Sequence, residues 1–184
     1  LSSDVADNGC VVADSANVNQ PSSIVSNLSA STDVRCNGDA NGTATATAAS
    51  GGTAPYSYTW SNGETGLSAD SLIAGNTTLT ITDANGCTLQ LTATIGQPVA
   101  FAVTAQGVDV SCFGQTDGSA QAGTTGGISP ASFVWIPGGG TTAAITNLTP
   151  GTYSVTATDA NGCTSTDVVT IDEPAQLLAD AGSD

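Results

Sequence analysis

The chain has no lysine, no histidine and no methionine, and its one cation is Arg35. Each absence removes a class of chemistry. Without imidazole there is no Ser-His-Asp or Cys-His pair and no His-ligated metal. Without lysine there is no Schiff base, no Walker-type phosphate site and no Lys–Asn isopeptide cross-link. Sixteen acids set against one arginine give a formal charge of −15, which repels phosphate and excludes nucleic acid as a partner. Aromatics are scarce too, at 4% of the residues. Charged residues are only 9%, against about 25% in an ordinary soluble domain. No apolar run is long enough for a signal peptide or a membrane span, so no direct membrane insertion is expected.

What the chain does have is small residues. Ala, Gly, Ser and Thr supply 97 of the 184 positions. Such a composition builds small, thin cores and a surface of hydroxyls and amides. Disorder is the alternative for an acidic chain of small residues. Two regularities argue against it: apolar residues alternate in short runs, and the cysteines recur at a fixed interval.

That interval is an internal repeat. Asn-Gly-Cys occurs at 8–10, 85–87 and 161–163, and each cysteine is followed eleven residues later by a proline, Pro21, Pro98 or Pro174. A second cysteine class, Cys36 and Cys112, sits in Asp-Val-x-Cys-x-Gly, again 76 positions apart. Both copies then carry a glycine pair, Gly51-Gly52 or Gly126-Gly127, and a tryptophan, Trp60 or Trp135. The chain therefore divides into two complete units, 22–98 and 99–174. Residues 1–21 read as the C-terminal part of a preceding repeat, and 175–184 as the start of a following one. Leu1 opens in mid-pattern, so the sequence reads as a piece of something longer. Proline at each boundary ends strand pairing.

Within a unit the period is two. Thr43–Thr47, Tyr56–Trp60, Leu79–Thr82 and Leu89–Thr92 alternate, as do Phe101–Val103, Phe133–Trp135, Tyr153–Thr156 and Val168–Ile171 in the second unit. Asn-Gly, Asp-Gly and Gly-Gly dipeptides supply hairpin turns. About seven short strands in some 76 residues, with Trp on the third, predict an all-β protein of tandem immunoglobulin-like sandwiches. Trp60 and Trp135 are expected in the cores. Leu148-Thr-Pro-Gly-Thr-Tyr153 reads as a tyrosine corner, which the first unit lacks because Thr77 replaces the tyrosine.

Cys36 to Cys87 and Cys112 to Cys163 each span 51 positions. The equal spacing predicts one disulfide inside each unit, joining the end of the first strand to the start of the last. Five reduced, buried thiols are the alternative; zinc is disfavoured by the absence of Cys-x-x-Cys and of histidine. Disulfides place the protein outside the cytosol. Cys10 is left over, either for a partner upstream of Leu1 or for another subunit.

The run Asp109-Val-Ser-Cys112-Phe-Gly114-x-x-Asp-Gly118 resembles the opening of the SprB repeat. Ser50-Gly-Gly-Thr-Ala-Pro-Tyr56-Ser-Tyr-Thr-Trp60 resembles its middle, and Leu148–Cys163 its end. The family occurs in tandem in very large surface proteins of Bacteroidetes, including a gliding-motility adhesin. The resemblance implies a secreted, cell-surface adhesin or fibre and brings no catalytic residues. The second unit departs from it over Ile128–Gly140, a loop that is longer or shaped for a contact.

Remaining candidates are weighed on this background. The Asp-x-Asn-Gly clusters at Asp39, Asp83 and Asp159 offer hard oxygens for Ca²⁺, although they lack the third carboxylate and distal Glu of an EF-type loop. The plainer reading is an aspartate that caps a turn. No other cofactor is expected. Trp60 with Tyr56 and Tyr58, or Trp135 with Phe133, offers a sugar-stacking face as the alternative to core packing. Ser15 and Ser71 lie in Asp-Ser-apolar triplets, which resemble the O-glycosylation motif of Bacteroidetes. No pair of carboxylates stands out as acid and base, so no enzyme is expected. The functional expectation is a structural segment of an extracellular fibre or adhesin stalk whose partners are neighbouring repeats or subunits. The alternatives are a fibre subunit that polymerises by strand sharing and a module binding surface glycans through loops such as 126–142.

Overall fold

The computed structural model describes residues 20–178. Every element is a strand: β1 Leu28–Thr32, β2 Gly42–Ala46, β3 Ser57–Trp60, β4 Ser68–Leu72, β5 Gly75–Thr82 and β6 Thr88–Ile95 in the first unit. The second unit repeats them as β7 Ala102–Val108, β8 Gly118–Thr125, β9 Ser132–Ile136, β10 Ala144–Leu148, β11 Gly151–Thr158 and β12 Thr164–Ile171. No described helix is long and apolar enough to cross a membrane.

Each unit packs two three-stranded sheets face to face. In the first they are β1-β2-β4 and β3-β5-β6; in the second, β10-β8-β7 and β12-β11-β9. This is the immunoglobulin arrangement of strands A-B-E against C-F-G. Six strands form where the sequence pattern predicted about seven. The seven residues between β3 and β4 turn the chain directly from one sheet to the other and leave no length for a D strand. The same holds between β9 and β10.

Alternation explains the layers. In β2, Gly42, Ala44 and Ala46 face inward while Thr43 and Thr45 face outward, the period of a strand buried on one face. Small residues there leave room for the tryptophan of the facing sheet. Trp60 packs with Leu72, Leu79, Ile81 and Ile95 in one core; Trp135 packs with Val155, Ala157 and Ile171 in the other. Each indole N–H stays satisfied inside its core. Trp60 Nε1 donates to the Gly66 carbonyl and Trp135 Nε1 to that of Thr142, both at 3.0 Å.

The corner before β11 is a tyrosine corner. Tyr153 is buried and its hydroxyl donates to the Thr149 carbonyl at 3.0 Å. In the first unit Thr77 takes the equivalent place, is also buried, and shares a 3.0 Å hydrogen bond with the Ser61 hydroxyl. A short hydroxyl closes that corner on the turn after β3 instead of on the turn before β5.

The first and last strands of a unit run side by side in the same direction. At their ends Val34 N donates to the Gly96 carbonyl at 3.1 Å and Gly96 N to Asp33 Oδ1 at 2.7 Å. The second unit matches this with Val110 N on the Asp172 carbonyl at 3.2 Å and Asp172 N on Asp109 Oδ1 at 2.8 Å. The end of the first strand therefore lies beside the end of the last strand, not beside its start.

Replacing Tyr153 with Phe removes the corner bond and leaves a carbonyl without its partner. The second unit should lose about 1–2 kcal/mol. The check is denaturant unfolding followed by Trp135 fluorescence in a Trp60→Phe background. The Trp135→Phe chain, which reports the first unit, should show no shift from the same substitution.

Candidate functional site

The strand directions overturn the expected disulfides. The one bridge among the described residues joins Cys36 to Cys163, 127 positions apart with Cα atoms 5.7 Å from each other. Cys87 and Cys112 are exposed and free. The intra-unit pairs Cys36–Cys87 and Cys112–Cys163 do not occur, nor does the pattern of one disulfide in each unit. Cys36 follows β1 at the end of the first sandwich where β6 leaves it; Cys87 precedes β6 at the opposite end. The eight residues of β6 span about 26 Å at 3.3 Å per residue. A disulfide tolerates Cα separations of roughly 4.4–6.8 Å. The equal spacing of 51 reflects the register of the repeat and not a pairing rule.

The site is thus the junction between sandwiches. On one side lies the loop after β1. Asn37 Nδ2 donates to the Pro98 carbonyl at 3.0 Å and Gly38 N to Gln97 Oε1 at 3.2 Å, which pins this loop to the departing chain. Asp39 Oδ2 accepts from Cys36 N at 3.2 Å and from Asn41 Nδ2 at 3.0 Å. On the other side lies the β11–β12 hairpin, and Asn161 Nδ2 reaches the Arg35 carbonyl at 3.4 Å. A cleft of about 500 Å³ surrounds the bridge, lined among others by Arg35, Asp39, Phe101 and Asn161.

The hairpin that presents Cys163 is built on one buried carboxylate. Asp159 Oδ1 accepts from the backbone N–H of Asn161 at 2.9 Å and of Cys163 at 2.8 Å, and Oδ2 accepts from Ile128 N at 2.9 Å. Asp83 is the same device in the first unit. Its Oδ1 takes the N–H of Asn85 and Cys87, and its Oδ2 that of Thr53, all at 2.9 Å. Each aspartate fastens the hairpin turn to the loop after the second strand. That loop carries the glycine pairs, with φ of 71° and 57° at Gly51 and Gly52 and 66° and 60° at Gly126 and Gly127. Two consecutive left-handed residues turn the backbone so that the next N–H points at the carboxylate. A Cβ on Gly52 or Gly127 would also lie 2.8 Å from the aspartate Oδ2.

Burial pushes the Asp83 carboxyl upward in pKa, but the N–H donors of Thr53, Cys87 and Asn85 outweigh it and hold the group below the ordinary aspartate value. The same balance, with donors from Ile128, Cys163, Asn161 and Gly162, lowers Asp159. Both oxygens of each group already receive N–H donors, which is the turn-capping use of an Asp-x-Asn-Gly cluster. Among the described residues no three of His, Cys, Asp and Glu converge as a metal group.

The other singled-out residues disperse. Tyr56 and Tyr58 are half-buried against the first core. Their hydroxyls are engaged by backbone, Tyr56 donating to the Gly51 carbonyl and Tyr58 accepting from Ala49 N at 2.9 Å. Ser71 is exposed on β4 at a left-handed position, φ 54°, with its hydroxyl donating to Asp70 Oδ1 at 2.9 Å. Cys10 and Ser15 lie outside the described residues. The irregular loop of the second unit borders a recess of about 600 Å³ that reaches from Pro137 to Tyr153. Sequence reasoning offered the aspartates as turn caps but missed the third donor from the opposite loop and the bridge between units. The signal for the locks was the joint recurrence of the glycine pair and Asp-Ala-Asn-Gly-Cys at the same period.

A lowered folded-state pKa means that the ionised carboxylate stabilises the fold. That contribution is complete at neutral pH. It declines as the pH falls below the unfolded aspartate value of about 3.9 and is lost once the pH passes below the folded value. Asp159→Asn should therefore unfold at lower denaturant than the parent at pH 7, and the two should converge toward pH 3. Denaturant midpoints at both pH values check this. An unchanged gap between variant and parent would show that the lock is not carried by the charge.

Residues 28–65 and 104–140 match the SprB repeat. No curated protein matches the chain. Among solved structures the chain is similar to the IgVJ-C2 molecule of amphioxus, at 20% identity over 65% of this chain and 89% of that one, with a TM-score of 0.32. It is also similar to a C-terminal 282-residue fragment of intimin, solved in complex with the intimin-binding domain of the translocated intimin receptor. There the identity is 13% and the TM-score 0.41, and the match covers 84% of this chain and 65% of that one. The two matched segments start 76 positions apart, at the same place in each sandwich, and each contains the loop cysteine and the core tryptophan. Each of the two sandwiches thus carries one segment that matches the SprB repeat.

Proposed function

We propose that the chain is a load-bearing segment of an extracellular adhesin stalk or surface fibre in which SprB sandwiches follow one another head to tail. The observation that carries this reading is the position of the Cys36–Cys163 bridge. A disulfide inside a unit stabilises that unit; one across a junction fixes two units to each other. It also supports an oxidising, extracytoplasmic location.

The bridge changes how tension travels. A pull applied before Ser22 and after Pro174 enters through β1, crosses from Cys36 to Cys163 and leaves along β12. Residues 37–162 lie inside the covalent loop and are spared extension. The short, proline-marked connection between units and the satisfied loop around Cys36 keep the pair extended under load.

Two measurements test the reading. In single-molecule stretching, the oxidised chain should yield only the residues outside the loop, 22–35 and 164–174 between the points of attachment. Reduction should release the 127 positions from Cys36 to Cys163, a further gain of roughly 420–460 Å at 3.3–3.6 Å per residue. Full extension without reductant would remove the load-bearing role. Antibodies raised against the chain should label intact, unpermeabilised cells in immunogold micrographs; labelling that appears only after permeabilisation would remove the surface role.

A further inference from the structure

The two free thiols occupy the same places as the two bridged ones. Cys112 is the counterpart of Cys36. Ser111 N is held by Asp117 Oδ1 at 3.0 Å where Arg35 N is held by Asn41 Oδ1 at 2.9 Å. Gly114 N donates to Glu173 Oε2 at 3.1 Å where Gly38 N donates to Gln97 Oε1 at 3.2 Å. Cys87 is the counterpart of Cys163, with its N–H on the locking aspartate in the same manner. The pair of sandwiches therefore ends in one half of the junction at each outer pole, Cys87 at the first and Cys112 at the last, both exposed.

A second observation, independent of the cysteines, concerns the surface of the Cys112 pole. Three residues past each boundary proline the chain places an apolar side chain. Ile24, after Pro21, packs against the first core, and Phe101, after Pro98, packs against the second. Leu177, after Pro174, is 97% exposed. It borders a recess of about 450 Å³ together with Cys112, Phe113 and Pro174. Where this position is followed by a sandwich, it is part of that sandwich's core.

We propose that Cys112 and Cys87 are halves of further junction bridges. Cys112 bonds the hairpin cysteine of a sandwich that follows, and Cys87 bonds the loop cysteine of one that precedes. The occupant of each pole is another unit of this repeat. The inference rests on the head-to-tail reading and adds that every junction is covalently closed, and closed heterologously, loop cysteine to hairpin cysteine. In bridge formation two thiols lose two protons and two electrons to form one S–S bond. A small-molecule disulfide accepts them; oxidised glutathione becomes two molecules of reduced glutathione.

A three-unit chain provides the test: residues 1–174 followed by a second copy of 22–98, with Cys10→Ser and Cys87→Ser in the first copy only. After folding in a glutathione redox buffer, free thiols are alkylated and the protein is digested with pepsin, since one arginine in each copy of 22–98 and no lysine make trypsin useless. The expected result is a linked peptide pair joining Cys112 to the Asn-Gly-Cys of the added unit, alongside the Cys36–Cys163 pair from the first junction. Cys112 recovered alkylated, glutathionylated or joined to the added loop cysteine overturns the proposal. Small-angle scattering of the same chain separates this from the head-to-tail reading. A rod longer by one unit with Cys112 alkylated would leave the stacking standing and remove the staple; a collapsed or jointed particle would remove the stacking itself.

Discussion

A single aspartate per unit, its two oxygens filled by three backbone N–H groups, is the constraint on which the rest is built. Asp83 and Asp159 each close the last hairpin and tie it to the loop across the sandwich. One of the three donors is the N–H of the hairpin cysteine itself, Cys87 or Cys163. The carboxylate therefore does more than cap a turn. It fixes the height and direction at which a thiol is offered to the neighbouring unit. Without that lock the hairpin would lose its tie to the opposite loop, and the bridge to Cys36 would have to hold a moving end.

The composition follows from the same geometry. Sandwiches of this size cannot hold many large side chains, so one tryptophan fills the middle of each and alanine and glycine line the strand opposite. Fixing a hundred or more residues against conformational entropy with so little apolar volume leaves a narrow margin. Backbone satisfaction takes up part of the difference. Indole, phenol, threonine and aspartate side chains are spent on main-chain groups at corners and turns, and no buried side-chain N or O among the described residues lacks a partner. A bridge that closes 127 positions restricts the unfolded chain by about 0.8 kcal/mol more than one that closes 51, because the loop entropy grows with the logarithm of length.

Much of this was legible in the residues. Strand alternation, the 76-residue period, Trp on the third strand and the tyrosine corner at Tyr153 all have local causes: pleat, turn dipeptide, buried aromatic. The disulfide connectivity has none. A repeat with two cysteines per unit keeps the same spacings whether each loop cysteine pairs inside its own unit or with the hairpin of the next. Only strand direction separates the two, and direction depends on how the first strand docks on the last. The docking is visible in Asp33 against Gly96 and Asp109 against Asp172, contacts some 63 residues apart that no local pattern announces. Thr77 shows the same: the missing tyrosine signalled a different corner, but the partner, Ser61, came from the turn after β3.

A covalent path through the units also explains why the chain can be so acidic and so poor in cations. Sandwiches carrying many carboxylates and almost no opposite charge repel one another, and non-covalent stacking between them would weaken as ionic strength falls. The lone cation, Arg35, stands beside Cys36 at the junction, where its carbonyl meets Asn161. One arginine cannot hold two anionic domains together. A disulfide is indifferent to salt and to net charge. Once the junction is covalent, repulsion between the units no longer threatens it. The acidity and the inter-unit bridge are thus compatible, because the bond between Cys36 and Cys163 holds the two sandwiches together whatever their charge.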